Sequence, residues 1–271
     1  MTDMPDHRSL LFVPGNRPER FEKACASGAD LVCIDLEDAV APEEKDAARE
    51  TVIGFLREAP HRHFGLRINE PGSDACLADQ EAIADLELPF VMVPKVDTAE
   101  EVEGLRVRSP ILPVLESAKA ILNAADILAL DAVTMALFGG GDYSADMGIP
   151  MTFESFLYAR SHLATCAVAH EVLLFDVPFL DVHDVEGGTA DTARVAALGI
   201  PARAAIHPKQ ITAIHDALAP SGAEVDQAER LRAAYDQSGG NAALLDGKLI
   251  EAPMLKGAER VLARARRQQE N

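Results

Sequence analysis

The sequence predicts an α/β protein: a (β/α)8 TIM barrel with a C-terminal helical extension. Three observations predict it. Apolar β-rich runs alternate with amphipathic helical runs along the chain. The β-rich runs are continuously hydrophobic, the pattern of parallel strands covered on both faces. Eight strand–helix units fit within 271 residues, and a closed barrel needs about 250.

The elements follow in order. Strands are expected at 10–13, 31–36, 64–68, 90–93, 111–115, 134–138, 173–175 and 204–206. Helices are expected at 18–26, 43–58, 98–105, 153–170 and 184–198. Pro18 and Pro42 stand where a helix can open, because the first turn needs no proline N–H. Thr98 and Ser117 are suited to cap the helices that follow them. The barrel is expected over 8–218. The extension, 219–271, carries helix-like stretches at 228–237 and 255–268, and it exceeds what a barrel needs. It is free to pack on a neighbour or cover a site. No Gly-x-Gly-x-x-Gly follows the first strand. The triplet Gly139, Gly140 and Gly141 follows the sixth instead, which argues against dinucleotide binding.

Composition narrows the function. Hydrophobic residues make up 48% and charged residues 25%, enough apolar material for a sizeable core. A net charge of −19 repels nucleic-acid backbones and anionic lipid surfaces, so neither is expected as a partner. An anionic substrate would need a local basic site or a divalent cation. Cys25, Cys33, Cys76 and Cys166 form no Cys-x-x-Cys pair and read as reduced thiols of a cytoplasmic protein. Residues 1–7 are acidic and polar, unlike a signal peptide. No apolar run approaches the roughly 20 residues of a membrane span.

Catalytic groups of a barrel gather at the C-terminal ends of its strands. Here the second strand ends in Asp35, Glu37 and Asp38, and the third in Arg67 and Asn69. The fourth ends in Pro94 and Lys95, the fifth in Glu116 and Ser117, the sixth in the glycines and Asp142, and the eighth in His207. Acids at such positions are often helix caps. Several acids with an arginine at one mouth are harder to explain that way. Glu116 and Asp142 follow adjacent strands, and two converging carboxylates need a counter-cation. Mg²⁺ suits them, since it accepts one or two carboxylates and completes its shell with water and substrate. The competing reading is a capped helix after each strand. Arg67 is shaped to clamp a carboxylate, or else pairs with an acid of the second strand. Glu37 and Asp38 are expected to orient Arg67 or metal-bound water rather than to ligate. Arg17 and Lys23 are placed to meet phosphates, although solvated charge is the simpler reading. His207 reads as structural, and His61 and His63 lie at the wrong end of the barrel.

Taken in order, these segments resemble a known family, the citrate lyase β-subunit and malyl-CoA lyase branch of the HpcH/HpaI aldolase superfamily. The resemblance is carried by Arg8-Ser9-Leu10-Leu11-Phe12-Val13-Pro14-Gly15-Asn16, Asp35-Leu36-Glu37-Asp38-Ala39-Val40 and Arg67-Ile68-Asn69. It continues in Leu115-Glu116-Ser117, Phe138-Gly139-Gly140-Gly141-Asp142-Tyr143 and Ile206-His207-Pro208-Lys209-Gln210. It implies a barrel assembling as a homotrimer or hexamer. It implies Mg²⁺ on Glu116 and Asp142, with a keto-acid carboxylate on Arg67 and on the backbone beside Gly141 and Asp142. Phe12, Arg17 and Lys23 match the family's CoA-contacting positions. Glu37-Asp38 stands where the aldolases that cleave free hydroxy acids carry a Glu-His pair. Glu251 stands where malyl-CoA lyases place an aspartate that acts as acid/base in a neighbouring subunit's site. Pro201-Ala202-Arg203-Ala204-Ala205 departs from the Gly-Lys pair usual in relatives.

The implied reaction is Mg²⁺-dependent cleavage or formation of a carbon–carbon bond in a 3-hydroxyacyl-CoA thioester such as malyl-, citramalyl- or citryl-CoA. Its products are a keto acid and an acyl-CoA. The alternatives are an aldolase for free hydroxy-keto acids, or a citrate lyase complex subunit that depends on an acyl-carrier protein.

Overall fold

A computed structural model describes residues 7–58, 63–239 and 241–270, with side chains as far as 266. Eight parallel strands close into a barrel. They are β1 (Ser9–Pro14), β2 (Leu31–Asp35), β3 (Phe64–Arg67), β4 (Val91–Val93), β5 (Ile111–Leu115), β6 (Met135–Phe138), β7 (Leu173–Asp176) and β8 (Ala202–Ala205). Closure is made by β1 pairing with β8, with Leu10 opposite Ala204. The barrel expected from the sequence is therefore present.

The strands read as unbroken apolar runs because both of their faces are covered. All five residues of β2 are buried. One face packs inside the barrel, where Leu10, Leu31, Cys33, Phe90, Met92, Leu112, Val114, Met135, Leu137, Leu173, Phe175, Ala202 and Ala204 form one core. Gly65 also faces inward: a Cβ there would lie 2.3 Å from the Phe90 ring. The other face packs against helices. Phe55 of the helix Lys45–Glu58, for example, meets Phe64 edge-on at 5.2 Å.

Several expected boundaries shift. The first helix splits into a 3₁₀ turn, Pro18–Arg20, with Arg17 as its N-cap, and a short helix, Phe21–Cys25. Arg17 and Lys23 therefore do not share one continuous helix. The expected strand 204–206 is instead Ala202–Ala205. It begins earlier because Arg203 points away from the interior into a buried ion cluster. Its guanidinium meets Asp191 at 2.7 Å, Asp176 at 3.5 Å and the Thr192 hydroxyl at 2.9 Å. The arginine of Pro201-Ala202-Arg203-Ala204-Ala205 thus belongs to this outer cluster.

The chain divides into two compact units, Met1–Ala217 and Leu218–Asn271. In the second, the helix Gly222–Gln237 opens on a reciprocal Ser221–Glu224 cap. A hairpin follows, β9 (Ala243–Leu245) and β10 (Lys248–Ile250), turned at Asp246 and Gly247 with φ of 51° and 76°. The last helix is Ala252–Glu270. Ala228, Leu231, Ile250, Ala258 and Leu262 make this unit's own small core. No helix among the described residues is long and apolar enough to cross a membrane.

Candidate active site

The two-residue period of a strand builds the site. Leu31 and Cys33 face the barrel interior, so Asp35 does too, at the mouth. By the same step Leu10 leads to Phe12, Gly65 to Arg67, and Leu112 and Val114 to Glu116. Four strands therefore deliver one aromatic, one cation and two acids to the same rim.

Arg67 is held rigidly. Its Nε and Nη2 donate to the two carboxylate oxygens of Asp35 at 2.7 and 2.6 Å. Its Nη1 lies 3.1 Å from Glu37 and 3.7 Å from Asp38. The Phe12 ring centroid is 5.1 Å from the guanidinium carbon. Asp35 also accepts the Glu37 and Ala39 N–H groups, which folds the loop after β2 back over the rim. Burial works against the charge of Arg67, but the Asp35 hydrogen bonds and the nearby acids raise its pKa on balance. The ion pair weighed from the sequence is thus present. It occupies the side edge of the guanidinium, Nε with Nη2, while Nη1 faces Glu37 and Asp38.

Glu116 is the strained acid of the rim. Burial, reinforced by the charges of Asp142 and Glu37, raises its carboxyl to about 7 despite a hydrogen bond from the Lys95 N–H. Gly139 makes room for it: a Cβ at that position would lie 2.4 Å from Glu116 Oε2. Asp142 sits exposed in the first turn of the helix Gly140–Met147. The same helix carries Asp146, which accepts the Ala118 N–H at 2.7 Å and ties Asp142's helix to the loop after Glu116. Gly141 is exposed beside Asp142.

Among the described residues, no three His, Cys, Asp or Glu side chains converge as a metal cage. Two carboxylates are nonetheless what a Mg²⁺ ion asks of a protein. The local chemistry fits a cation. Glu116 is disfavoured as an anion only while its charge is uncompensated, and the buried Glu37 Oε2 lacks a hydrogen-bond partner. Burial likewise raises the carboxyl of Glu37.

The remaining expected residues scatter. Arg17 and Lys23 are exposed near the end of β1. Asn69 is turned to Asp79, which accepts from its backbone and side-chain N–H groups at 2.8 and 2.7 Å. His207 accepts the Lys209 N–H at 3.1 Å, a structural role. His63 is exposed before β3, and His61 lies outside the described residues. Glu251 belongs to the second unit, where its carbonyl accepts the Met254 N–H at 2.9 Å and its side chain is exposed.

Residue-by-residue reading gave Lys95 no role, and Asp35 only a general one. Lys95 donates its N–H to Glu116 Oε1 at 2.7 Å. Its ammonium lies 3.3 Å from Glu37 and 3.1 Å from Glu70. A lysine directly after a strand, next to the strand that presents Glu116, was the available signal.

The family model for HpcH/HpaI aldolase/citrate lyase matches residues 8–208. The chain belongs to that family. Within the HpcH/HpaI family, it is 32% identical to a (3S)-malyl-CoA thioesterase of Cereibacter sphaeroides, over 95% of this chain and 94% of the relative. It is 29% identical to the L-malyl-CoA/β-methylmalyl-CoA lyase of Rhodobacter capsulatus, over 96% of this chain and 94% of the relative. The protein CitE of Mycobacterium tuberculosis, solved with magnesium, acetoacetate and coenzyme A, superposes with a TM-score of 0.86 at 33% identity. That match covers 96% of this chain and 98% of CitE.

Proposed function

We propose that this protein is a Mg²⁺-dependent carbon–carbon lyase of 3-hydroxyacyl-CoA thioesters, cleaving or forming malyl-CoA-like esters from a keto acid and an acyl-CoA. One observation carries the reading: a half-buried Glu116 carboxyl, raised to about 7, shares the barrel rim with Asp142 and a clamped Arg67. An acid pair beside a carboxylate-binding cation is what a metal-chelating hydroxy or keto acid requires. The family membership and the CitE complex with magnesium and coenzyme A support it.

Glu116 and Asp142 would hold Mg²⁺, which when bound supplies Lewis-acid polarisation of the hydroxyl and carboxylate oxygens of the keto-acid half. Arg67, fixed by Asp35, orients that carboxylate through its end fork, and the backbone beside Gly141 and Asp142 takes its other side. Glu37 and Asp38 limit the positive charge that Arg67 offers. Phe12, Arg17 and Lys23 receive the CoA moiety, the two cations facing its phosphates in a chain of net charge −19. Glu251 of a neighbouring subunit holds the proton that the departing thioester enolate needs at carbon. This role requires a homotrimer or hexamer. The four free cysteines, three of them buried, fit a reducing cytoplasm.

The test uses the purified chain alone, assayed with malyl-, citramalyl- and citryl-CoA, with the free hydroxy acids, and with Mg²⁺ or chelator. Keto-acid and acyl-CoA products are followed separately from free thiol, which distinguishes cleavage from hydrolysis. Carbon–carbon cleavage of a CoA ester that stops with chelator is expected. Glu116→Ala should lower it by about 10³-fold or more, the several kcal/mol a Lewis acid supplies, with an unchanged circular dichroism spectrum. Full turnover in that variant would falsify the metal assignment.

A further inference from the structure

We infer that Lys95 is the positioning residue of this site, setting Glu116 through its backbone and keeping Arg67 open through its ammonium. The inference rests on the function proposed above.

The backbone supplies the first observation. Among the described non-glycine residues, Lys95, Glu171 and Asp246 have positive φ, with 53° at Lys95. Asp246 turns a hairpin, and Glu171 follows the end of the helix Phe153–Ala169. Lys95 does neither; it simply follows β4. A side chain resists this region, and such strain persists where the surroundings impose it, often at functional sites. Here it aims the Lys95 N–H at Glu116 Oε1, 2.7 Å away. The other oxygen, Oε2, lies over Gly139, where even a methyl group would collide. One carboxylate oxygen is therefore tied down, and its partner packs against the bare backbone of Gly139.

The side chain supplies the second observation. The ammonium of Lys95 bridges Glu37 Oε1 and Glu70 Oε2 at 3.3 and 3.1 Å. The opposite oxygen of Glu37 lies 3.1 Å from Arg67 Nη1 without hydrogen-bond geometry. Glu37 is thus shared between two cations. Without the ammonium its whole charge falls on Arg67 and closes the fork a substrate carboxylate must enter. Glycine would adopt this backbone more easily, but it would lack the charge that holds Glu37 off.

The experiment reads two affinities on the intact chain: Mn²⁺ alone by electron paramagnetic resonance, and pyruvate titrated into Mg²⁺-loaded protein by calorimetry. In Lys95→Met and Lys95→Gly, Mn²⁺ should bind within about twofold of wild type. Pyruvate should weaken about tenfold, and Lys95→Arg should restore most of the loss. Lys95→Val, whose β-branched side chain resists positive φ, should weaken Mn²⁺ about tenfold while remaining folded by circular dichroism. Unchanged pyruvate binding in Lys95→Met, or unchanged Mn²⁺ affinity in Lys95→Val, overturns the inference. Should wild-type protein bind neither probe, the proposed function itself fails. Normal wild-type binding with indifferent variants sinks the inference alone.

Discussion

Arg67 and Asp35 form a largely buried bidentate pair on the Nε–Nη2 edge of the guanidinium. Removing one partner of such a pair strands the other charge. Asp35→Asn should therefore destabilise the protein by about 2–4 kcal/mol in urea unfolding, softened because Glu37 and Asp38 remain beside Arg67. It should also weaken pyruvate binding, since Arg67 is then free to turn its fork onto those acids. Unaltered urea midpoint and pyruvate affinity would show that Asp35 does not hold the clamp. Glu116, Asp142 and Arg67 could be picked out as rim candidates in the sequence because each ends or closely follows an apolar run, and barrel strands present their ends to one mouth. Lys95 was not legible as a functional residue. Its role depends on a backbone angle and on the acids of three other loops, neither of which a linear string displays.

At the scale of elements, all eight strands were legible, because continuous burial writes itself as a continuous apolar run. Short helices were not. Ala118–Leu122 and Ala124–Leu128 are too short to show a period, and the glycine N-cap Gly139 with Gly140 and Gly141 in the first turn concealed the helix Gly140–Met147. The β9–β10 hairpin turns at Asp246-Gly247, the dipeptide such a turn favours. At the opposite end of the barrel, Asp30 ties β1 to the helix Lys209–Leu218. It accepts the Arg8 and Ser9 N–H groups at 2.6 and 3.0 Å and lies 3.4 Å from His215 Nε2. Burial pushes its pKa up, but the His215 contact and these hydrogen bonds hold it below the ordinary carboxylate value. A depressed folded pKa contributes stability that is complete above the unfolded value, near 4, and lost as pH falls through the folded one. Asp30→Asn should cost about 1–2 kcal/mol at pH 7, and the gap to wild type should close below about pH 4. A gap that persists undiminished at pH 3 would mean that Asp30 acts through shape rather than charge.

For the whole molecule, the decisive question is how the second unit contributes. Glu251 lies there, on a unit with its own small core, while Glu116 and Asp142 lie on the barrel. If Glu251 serves a neighbour's site, Glu251→Gln should reduce turnover by about 10²–10⁴-fold without lowering Mn²⁺ affinity. Co-expression of Glu251→Gln with Glu116→Ala subunits should then regain activity that neither variant shows alone. Mixed oligomers as inactive as their parents would place the proton donor elsewhere.

The sequence by itself determined the barrel, its eight strands, the family and the rim acids. These follow from local period and from the order of motifs, which survive projection onto a line. Only the tertiary structure decided what each rim residue touches: that Asp35 claims the side edge of Arg67, that Lys95 is bent to present its N–H to Glu116, and that Arg203 belongs to an outer ion cluster. The physical reason is that charge and hydrogen bonding act over a few ångströms of space. Closing the barrel brings together rim groups as far apart in sequence as Glu37 and Lys95, at distances no spacing rule encodes.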